Sequence, residues 1–501
     1  MGRELGVSIK SKDETIHSSK LNEDTQTFKI FVAALAILII INLLPFEATL
    51  LVSGEEFNLT RQGKAAISLL IFASILWITE AMPFAITSLM ILLLLPFLGI
   101  TTLEAAVKDG FGNPLVVFFI SVFILSGAIS QSGLGNRLVR IFVKKSNGRP
   151  EIILLSILSV GAFLTMWMTG VAGAAILMPI GHSLLKNAGL KEKESDFGRA
   201  VMIACAWGPL IGGVAAPTGT GVNLYVINIL RELTDINISF INWLTLGIPA
   251  SLMMIPCAWF VLLKFFPPEI DRILIKEIEG IAEESRLRRD ERLVLIIFSI
   301  TIILWIIGPY IQRYLGIPLT MESVALMGAI TLFLPGINVI NWPQAEKRID
   351  WGGILLIATG LSLGMALFKT GAAKYLGWLL FGWVTNINPI FRVLLISLIV
   401  CLMKLVFSSN TVTGVVIIPV IIAVAQGAGI DPWLLVAPAA FTESLAFILV
   451  TSSPTNIIPY STGYFSIQDM AKSGIAMTVF AIICVSISII IVGRFTGMYL
   501  W

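Results

Sequence analysis

The stretch Ser408-Ser409-Asn410-Thr411-Val412-Thr413-Gly414-Val415-Val416-Ile417-Ile418-Pro419 decides how the chain is read. It sets small polar residues inside a long apolar run, with no charge after Lys404. In hydrocarbon an unsatisfied polar group costs about 2–7 kcal/mol, so such a cluster persists only inside protein or beside a wet cavity. An echo lies 240 positions earlier: Thr169-Gly170-Val171-Ala172-Gly173-Ala174-Ala175-Ile176-Leu177-Met178-Pro179. Thr169 to Pro179 and Ser409 to Pro419 have the same spacing.

The chain around this pair has 501 residues, 56% hydrophobic and 13% charged. Soluble domains carry about 25% charged residues. With a mean hydropathy of +0.91, the composition is that of a polytopic helical membrane protein. A net charge of +3, with no basic patch interleaved with aromatics, gives no nucleic-acid signature. Cys205, Cys257, Cys401 and Cys484 sit in apolar runs without C-x-x-C spacing and read as small core residues, neither a metal set nor a disulfide framework. The first apolar run begins near Phe28, so no cleavable leader is expected and residues 1–27 read as a cytoplasmic tail.

Charge-poor stretches predict spans near 28–46, 64–80, 82–100, 112–134, 151–186, 200–231, 240–266, 291–312, 321–340, 351–375, 391–427, 434–452 and 473–495. Several are too long or too interrupted for one helix. The expectation is an all-α fold of about 11 transmembrane helices plus two re-entrant hairpins. The hairpins are placed at 112–134 and 351–375, where Ser126-Gly127 and Gly360 to Gly364 interrupt the run; an ordinary kinked span is the alternative. Basic residues at 137–149, in 267–292 and in the tail place those segments, and the N-terminus, on the cytoplasmic side of the cell membrane.

A second motif also recurs. Ala216-Pro217-Thr218-Gly219-Thr220-Gly221-Val222-Asn223 mirrors Leu449-Val450-Thr451-Ser452-Ser453-Pro454-Thr455-Asn456. Each half therefore runs hairpin candidate, broken span, then a second polar break ending in Asn. That order is the signature of a transporter built from two structural repeats, with its site at their interface. Freed backbone groups and helix N-termini then face a cavity, where N–H groups attract anions and carbonyls and hydroxyls attract cations. Ser409, Asn410, Thr411, Thr451, Ser452, Ser453, Thr455 and Asn456 supply hard donors in one half; Thr169, Thr218, Thr220 and Asn223 face them from the other. A single such hydroxyl is more often a helix-packing group; matched clusters reverse that weighting.

These motifs resemble the divalent anion:sodium symporter (DASS) family of di- and tricarboxylate carriers. The likeness spans nearly the whole chain and includes Met166-Trp167, Pro179, Pro419 and Ser461-Thr462-Gly463-Tyr464. The resemblance implies inverted repeats, a homodimer, and scaffold and transport domains moving as an elevator. Their division is expected at 28–111 and 236–350 for scaffold, 112–235 and 351–472 for transport, and 473–501 for a last span. It also implies a Ser-Asn-Thr triplet in each half, binding substrate carboxylate beside sodium. The substrate-binding set carried over is Thr169, Gly170, Thr220, Gly221, Asn223, Ser409, Asn410, Thr411, Ser453, Pro454, Thr455 and Asn456. One triplet departs from the pattern: Thr169-Gly170-Val171 lacks the amide and one hydroxyl. That loss favours the family's exchanger branch, swapping dicarboxylates such as succinate, malate or 2-oxoglutarate without sodium and with no cofactor. Sodium symport through a residual site at Ser409, Asn410, Thr451 and Ser452 is the alternative.

If no cation travels, fixed charge must offset the substrate. Lys404 and His182 are the candidates, although Lys404 also fits a residue reaching to an interface and His182 a helix-end residue. Glu443 is the other charge inside a span, expected to carry a proton or to pair with Lys404 or Lys369. An enzyme is not indicated. The only histidines are His17 and His182, H-E-x-x-H and G-x-S-x-G are absent, and Gly219-Thr220-Gly221 lacks the strand context of a nucleotide loop. A channel filter would need symmetric rings or loops, which two unlike polar clusters do not supply.

Overall fold

The computed structural model describes residues 25–44, 49–52, 55–273, 286–407 and 409–499. Most of the expected tail and the centre of the charged segment 267–292 lie outside the described residues.

The first half opens with α1 (Thr25–Leu43), followed by a two-stranded antiparallel hairpin, β1 (Thr49–Val52) with β2 (Glu55–Asn58), in which Thr49 pairs Asn58. Helices α2 (Arg61–Thr79), α3 (Phe84–Phe97) and α4 (Leu103–Gly110) lead to α5 (Pro114–Ser132) and α6 (Leu134–Lys145). Then come α7 (Pro150–Thr165), α8 (Gly170–Asn187), α9 (Asp196–Ala215), α10 (Gly221–Thr234) and α11 (Phe240–Phe265). The second half begins with α12 (Arg289–Leu315), α13 (Met321–Thr331) and the short α14 (Trp342–Glu346). It continues with α15 (Trp351–Lys369), α16 (Ala372–Phe381), α17 (Pro389–Met403), α18 (Asn410–Gly427), α19 (Pro432–Thr442), α20 (Pro454–Tyr460) and α21 (Ile467–Ile487).

The repeat holds element by element. Both α5 and α15 have 19 residues, and each is followed by a left-handed glycine, Gly133 or Gly371, that lets the next helix start at once. Both α7 and α17 begin with proline at their first turn, where its missing N–H is an orphan anyway. Both α8 and α18 have 18 residues and an internal proline, Pro179 or Pro419. A short 3-10 turn precedes α10 at Pro217–Gly219 and α20 at Val450–Ser452.

This alignment moves the hairpins. The interiors of 112–134 and 351–375, including Ser126-Gly127 and Gly360 to Gly364, lie within the unbroken helices α5 and α15, so neither stretch turns back at its middle. The helix pairs joined at the Thr169 and Ser409 motifs are α7–α8, whose helices pack on each other, and its counterpart in the repeat, α17–α18. Ser and Gly in the middle of a 19-residue apolar helix weaken it without breaking it, because the buried face still packs. Arms of 16 and 15 residues measure about 24 Å, short of a hydrocarbon core about 30 Å thick, as re-entry requires.

Nine helices among the described residues are long and apolar enough to span a membrane. They differ in burial: 94% of the apolar window of α9 is buried, against 28% for α12 and 11% for α1. So α9 is the interior helix, packed on α7, α8 and α11, and the other two present apolar side chains outward. Gly212 permits the closest approach of α9 to α7, since a Cβ there would meet the carbonyl of Ala162 and the Thr165 hydroxyl. The halves interlock: α10 packs on α18, and α20 packs on α8 and α9.

Candidate substrate site

Each motif is a helix start. Thr169 caps α8, its hydroxyl accepting from Ala172 N at 3.3 Å, and Ser409 caps α18, accepting from Val412 N at 3.5 Å. Gly170 and Asn410 are the first residues of those helices. Gly170 at the start of α8 lies against Thr455 at the start of α20, and Gly414 near the start of α18 lies against Val222 at the start of α10, so helix N-termini, whose orphan N–H groups favour an anion, meet in pairs across the halves.

The Asn-terminated breaks are held the same way in both halves. Asn223 donates to Gly213 O and Ala216 O, both at 2.8 Å. Asn456 donates to Ala446 O at 2.7 Å and Leu449 O at 3.1 Å. In each case the acceptors lie ten and seven positions back, so one amide bridges the two carbonyls that an interrupted helix leaves open. A second tie binds each break to its hairpin: Thr218 donates to Met166 O at 2.7 Å, and Ser452 donates to Lys404 O at 2.9 Å.

Contacts between halves close the site. A Cβ on Gly170 would lie 2.9 Å from Thr455 Oγ1, so the missing side chain leaves the room that Thr455 fills. Thr220 and Ser444 place their hydroxyls 3.4 Å apart across the halves. Thr169, Gly170, Ser409, Asn410, Thr411, Thr220 and Gly221 are half-buried; Ser453, Thr455, Asn223 and Asn456 are buried. Thr451 and Pro454 are exposed.

Comparison with known proteins agrees with this architecture. Residues 25–501 match the family described as the sodium:sulfate symporter transmembrane region. The chain belongs to that family, the divalent anion:sodium symporters. It is accordingly a multi-pass membrane transporter rather than an enzyme. It is 28% identical over 471 residues to the sodium-dependent dicarboxylate transporter SdcS of Staphylococcus saprophyticus, covering 89% of each chain. Against SdcS of Staphylococcus aureus USA300 it is 28% identical over 489 residues, covering 91% of this chain and 92% of that one. In fold it is similar to the YdaH transporter of Alcanivorax borkumensis, with a TM-score of 0.55 at 14% identity, covering 95% and 98% of the two chains.

Within this architecture the charged candidates separate. Lys404 is buried at the foot of the second hairpin turn, its ammonium donating to Ser452 O at 3.3 Å, so it does not reach an interface. A cavity of about 280 Å³ adjoins it, lined by Thr79, Glu80, Lys404, Phe407, Thr451 and Ser452 among others. His182 lies twelve residues along α8, about 18 Å from Gly170, with its ring 6.0 Å from that of Tyr464. It is not part of the junction. Glu443 caps the C-terminal end of α19 and is fully buried. It does not pair with Lys369, which bonds Asp109 at 2.7 Å. Among the described residues no cation lies within ion-pair distance of Glu443, and neither of its carboxyl oxygens has a hydrogen-bond partner.

Two features of the site were not read from the sequence. Tyr225, two positions after Asn223, is buried with its hydroxyl unpartnered. The side-chain oxygens of Asn410 and Asn456 are also buried without partners, whereas that of Asn223 accepts from Thr220 at 2.9 Å. Position relative to the Asn motif could have pointed to Tyr225; hydrogen-bond saturation has no counterpart in sequence.

Proposed function

We propose that this chain carries small C4–C5 dicarboxylates such as succinate, malate or 2-oxoglutarate across the cell membrane, as a sodium-independent dicarboxylate:dicarboxylate exchanger. The dicarboxylate class draws support from relatives named as dicarboxylate transporters. The observation that carries the exchange mode is the Lys404 ammonium on Ser452 O, a fixed cation bonded to backbone oxygen within the second break. A mobile cation would compete with it for that carbonyl. In the first half, Thr455 fills the space beside Gly170 and the Asn223 oxygen accepts from Thr220, so neither motif position offers an open side-chain oxygen to an ion.

A substrate with carboxylates at both ends meets the start of α8 with one and that of α18 with the other. Helix N-termini and Lys404 supply the attraction. The empty carrier keeps its buried charged groups without a bound anion and crosses slowly; the loaded one crosses readily, which enforces exchange. We place the N-terminus in the cytoplasm, and assign 112–235 and 351–472 to a transport domain moving as an elevator against a dimeric scaffold.

Sodium symport is the second reading, favoured by the unpartnered oxygens of Asn410 and Asn456 beside Ser409, Thr451 and Ser452 and by the sodium dependence in the relatives' names. Radiolabelled succinate uptake into proteoliposomes separates the two. Exchange predicts uptake only into vesicles loaded with succinate, indifferent to a sodium gradient. Sodium-driven uptake into empty vesicles would overturn exchange, and absence of succinate flux in every condition would overturn the dicarboxylate reading.

A further inference from the structure

Glu443 is 0% exposed, and both of its carboxyl oxygens lack a hydrogen-bond partner. An ionised carboxylate left so in a protein interior is costly unless something compensates it. Its surroundings are specific. A Cβ on Gly414, one turn into α18, would lie 2.6 Å from Glu443 Oε2, so the absence of a side chain there makes room for the carboxyl. The hairpin helix that opens at Asn410 therefore passes directly over it.

The elements packed against α19 are α17, α18, α10 and α21. After α17 comes Lys404, the cation that acts on Glu443 electrostatically, with its ammonium bonded to Ser452 O. From α10 comes Tyr225, on which Glu443 acts in turn and whose hydroxyl is also unpartnered. The face of α18 contributes Gly414 and no charge. No titratable group of α21 acts on Glu443 among the described residues. One acid and one base are thus enclosed together, each able to change the charge that the other experiences.

We propose that Glu443 is a proton-binding residue of the transport cycle, coupling dicarboxylate movement to a proton. The step is the binding of one proton by the carboxylate to give the carboxylic acid, and its release again on the other side. When Glu443 is ionised it offsets Lys404, and the site loses its net attraction for an anion. With the proton bound, Lys404 is uncompensated and the dicarboxylate is held. Proton and substrate then favour each other's binding, by linkage. The loaded carrier moves a proton with its dianion, which reduces the charge that must cross.

This inference rests on the dicarboxylate reading, and the test keeps the two apart. Succinate uptake would be measured in succinate-loaded proteoliposomes with and without an inward proton gradient, for the wild type and Glu443→Gln. The expected result is several-fold stimulation of the wild type by the gradient, with the stimulation lost in Glu443→Gln at whatever rate that variant exchanges. A wild type indifferent to the gradient overturns the proposal. Equal stimulation of both proteins also overturns it, because protonation of succinate itself then explains the effect. If succinate is not carried at all, the dicarboxylate reading falls, and infrared titration of the purified wild type and variant decides the proton site. A carboxylic-acid band near neutral pH that Glu443→Gln lacks retains it; absence of that band in the wild type overturns it. Should Glu443→Gln fail to fold, the wild-type gradient response and its change in Tyr225→Phe serve instead: a Tyr225→Phe response shifted in pH supports the cluster, and an unshifted one overturns it.

Discussion

The two breaks of the repeat use the same clamp to different ends. In the first half α9 continues to Ala215, and only residues 216–220 separate it from α10. Its asparagine is saturated, with donors on two carbonyls and its oxygen on Thr220. In the second half α19 stops at Thr442, and residues 443–453 are needed to reach α20. There Asn456 makes both donor bonds but leaves its oxygen free, as do Asn410 and Glu443. Buried polar groups in native proteins are normally satisfied, so a cluster of free ones marks where something else binds. The open acceptors of the second half are Asn410, Asn456 and Glu443, whereas at the first break the asparagine is saturated and the Tyr225 hydroxyl is the unpartnered group.

The strongest challenge to this asymmetry is loss of the free amide. Asn410→Ala removes a donor and an acceptor from the junction and is expected to weaken substrate by roughly 1.5–3 kcal/mol, about 10–150-fold in half-saturating concentration. Gly170→Ala, at the matching position, adds a methyl that Thr455 can yield to and should cost less than about threefold, under 1 kcal/mol. Concentration-dependent succinate exchange measures both. Similar losses from the two variants would erase the distinction between halves.

The clamps test the shared part of the comparison. Asn223→Ala and Asn456→Ala each strand two buried carbonyls, at a cost of about 1–3 kcal/mol apiece. Asn223→Ala should be the worse by about 1 kcal/mol, because the Thr220 hydroxyl also loses the closer of its two contacts. Thermal unfolding in detergent reads the order; a larger shift for Asn456→Ala would mean that its free oxygen is engaged after all.

Restoring the lost amide sharpens the comparison from the other side. Gly170→Asn alone adds a carboxamide beyond the Cβ that Thr455 can yield to and should impair exchange, whereas Gly170→Asn with Thr455→Ala opens room for the new side chain. The pair is expected to couple by about 1 kcal/mol in a double-mutant cycle on flux. Additive effects would show that Thr455 does not occupy the vacated space.

Much of this was legible because it depends on composition and spacing. Charge-poor runs located the spans, and the Pro and Asn landmarks located the repeat, since both halves must break their helices at the same points. The hairpins were misplaced because Gly and Ser inside 112–134 and 351–375 look like breaks, whereas small residues inside membrane helices commonly serve close packing. Pro150 and Pro389, each opening a short arm, were the better sign. That Lys404 lies inward and His182 away from the junction depends on which helix face packs where. Local sequence does not contain that information, and α8 and α18 are apolar nearly all round.

The smallest expected effect concerns the ties between breaks and hairpin turns. Thr218 bonds Met166 O at 2.7 Å and Ser452 bonds Lys404 O at 2.9 Å. Each is one neutral hydrogen bond, so Thr218→Val and Ser452→Ala should each cost about 0.5–1.5 kcal/mol of stability. Their effects on transport should nevertheless differ. Thr218→Val loosens a break whose asparagine is saturated. Ser452→Ala loosens the backbone that positions Lys404, because the same residue's carbonyl receives the Lys404 ammonium. Stability measured by thermal unfolding should therefore fall alike in the two variants, while succinate exchange falls further in Ser452→Ala. Equal losses of exchange would mean that the position of Lys404 is set by its surrounding apolar packing and not by this bond.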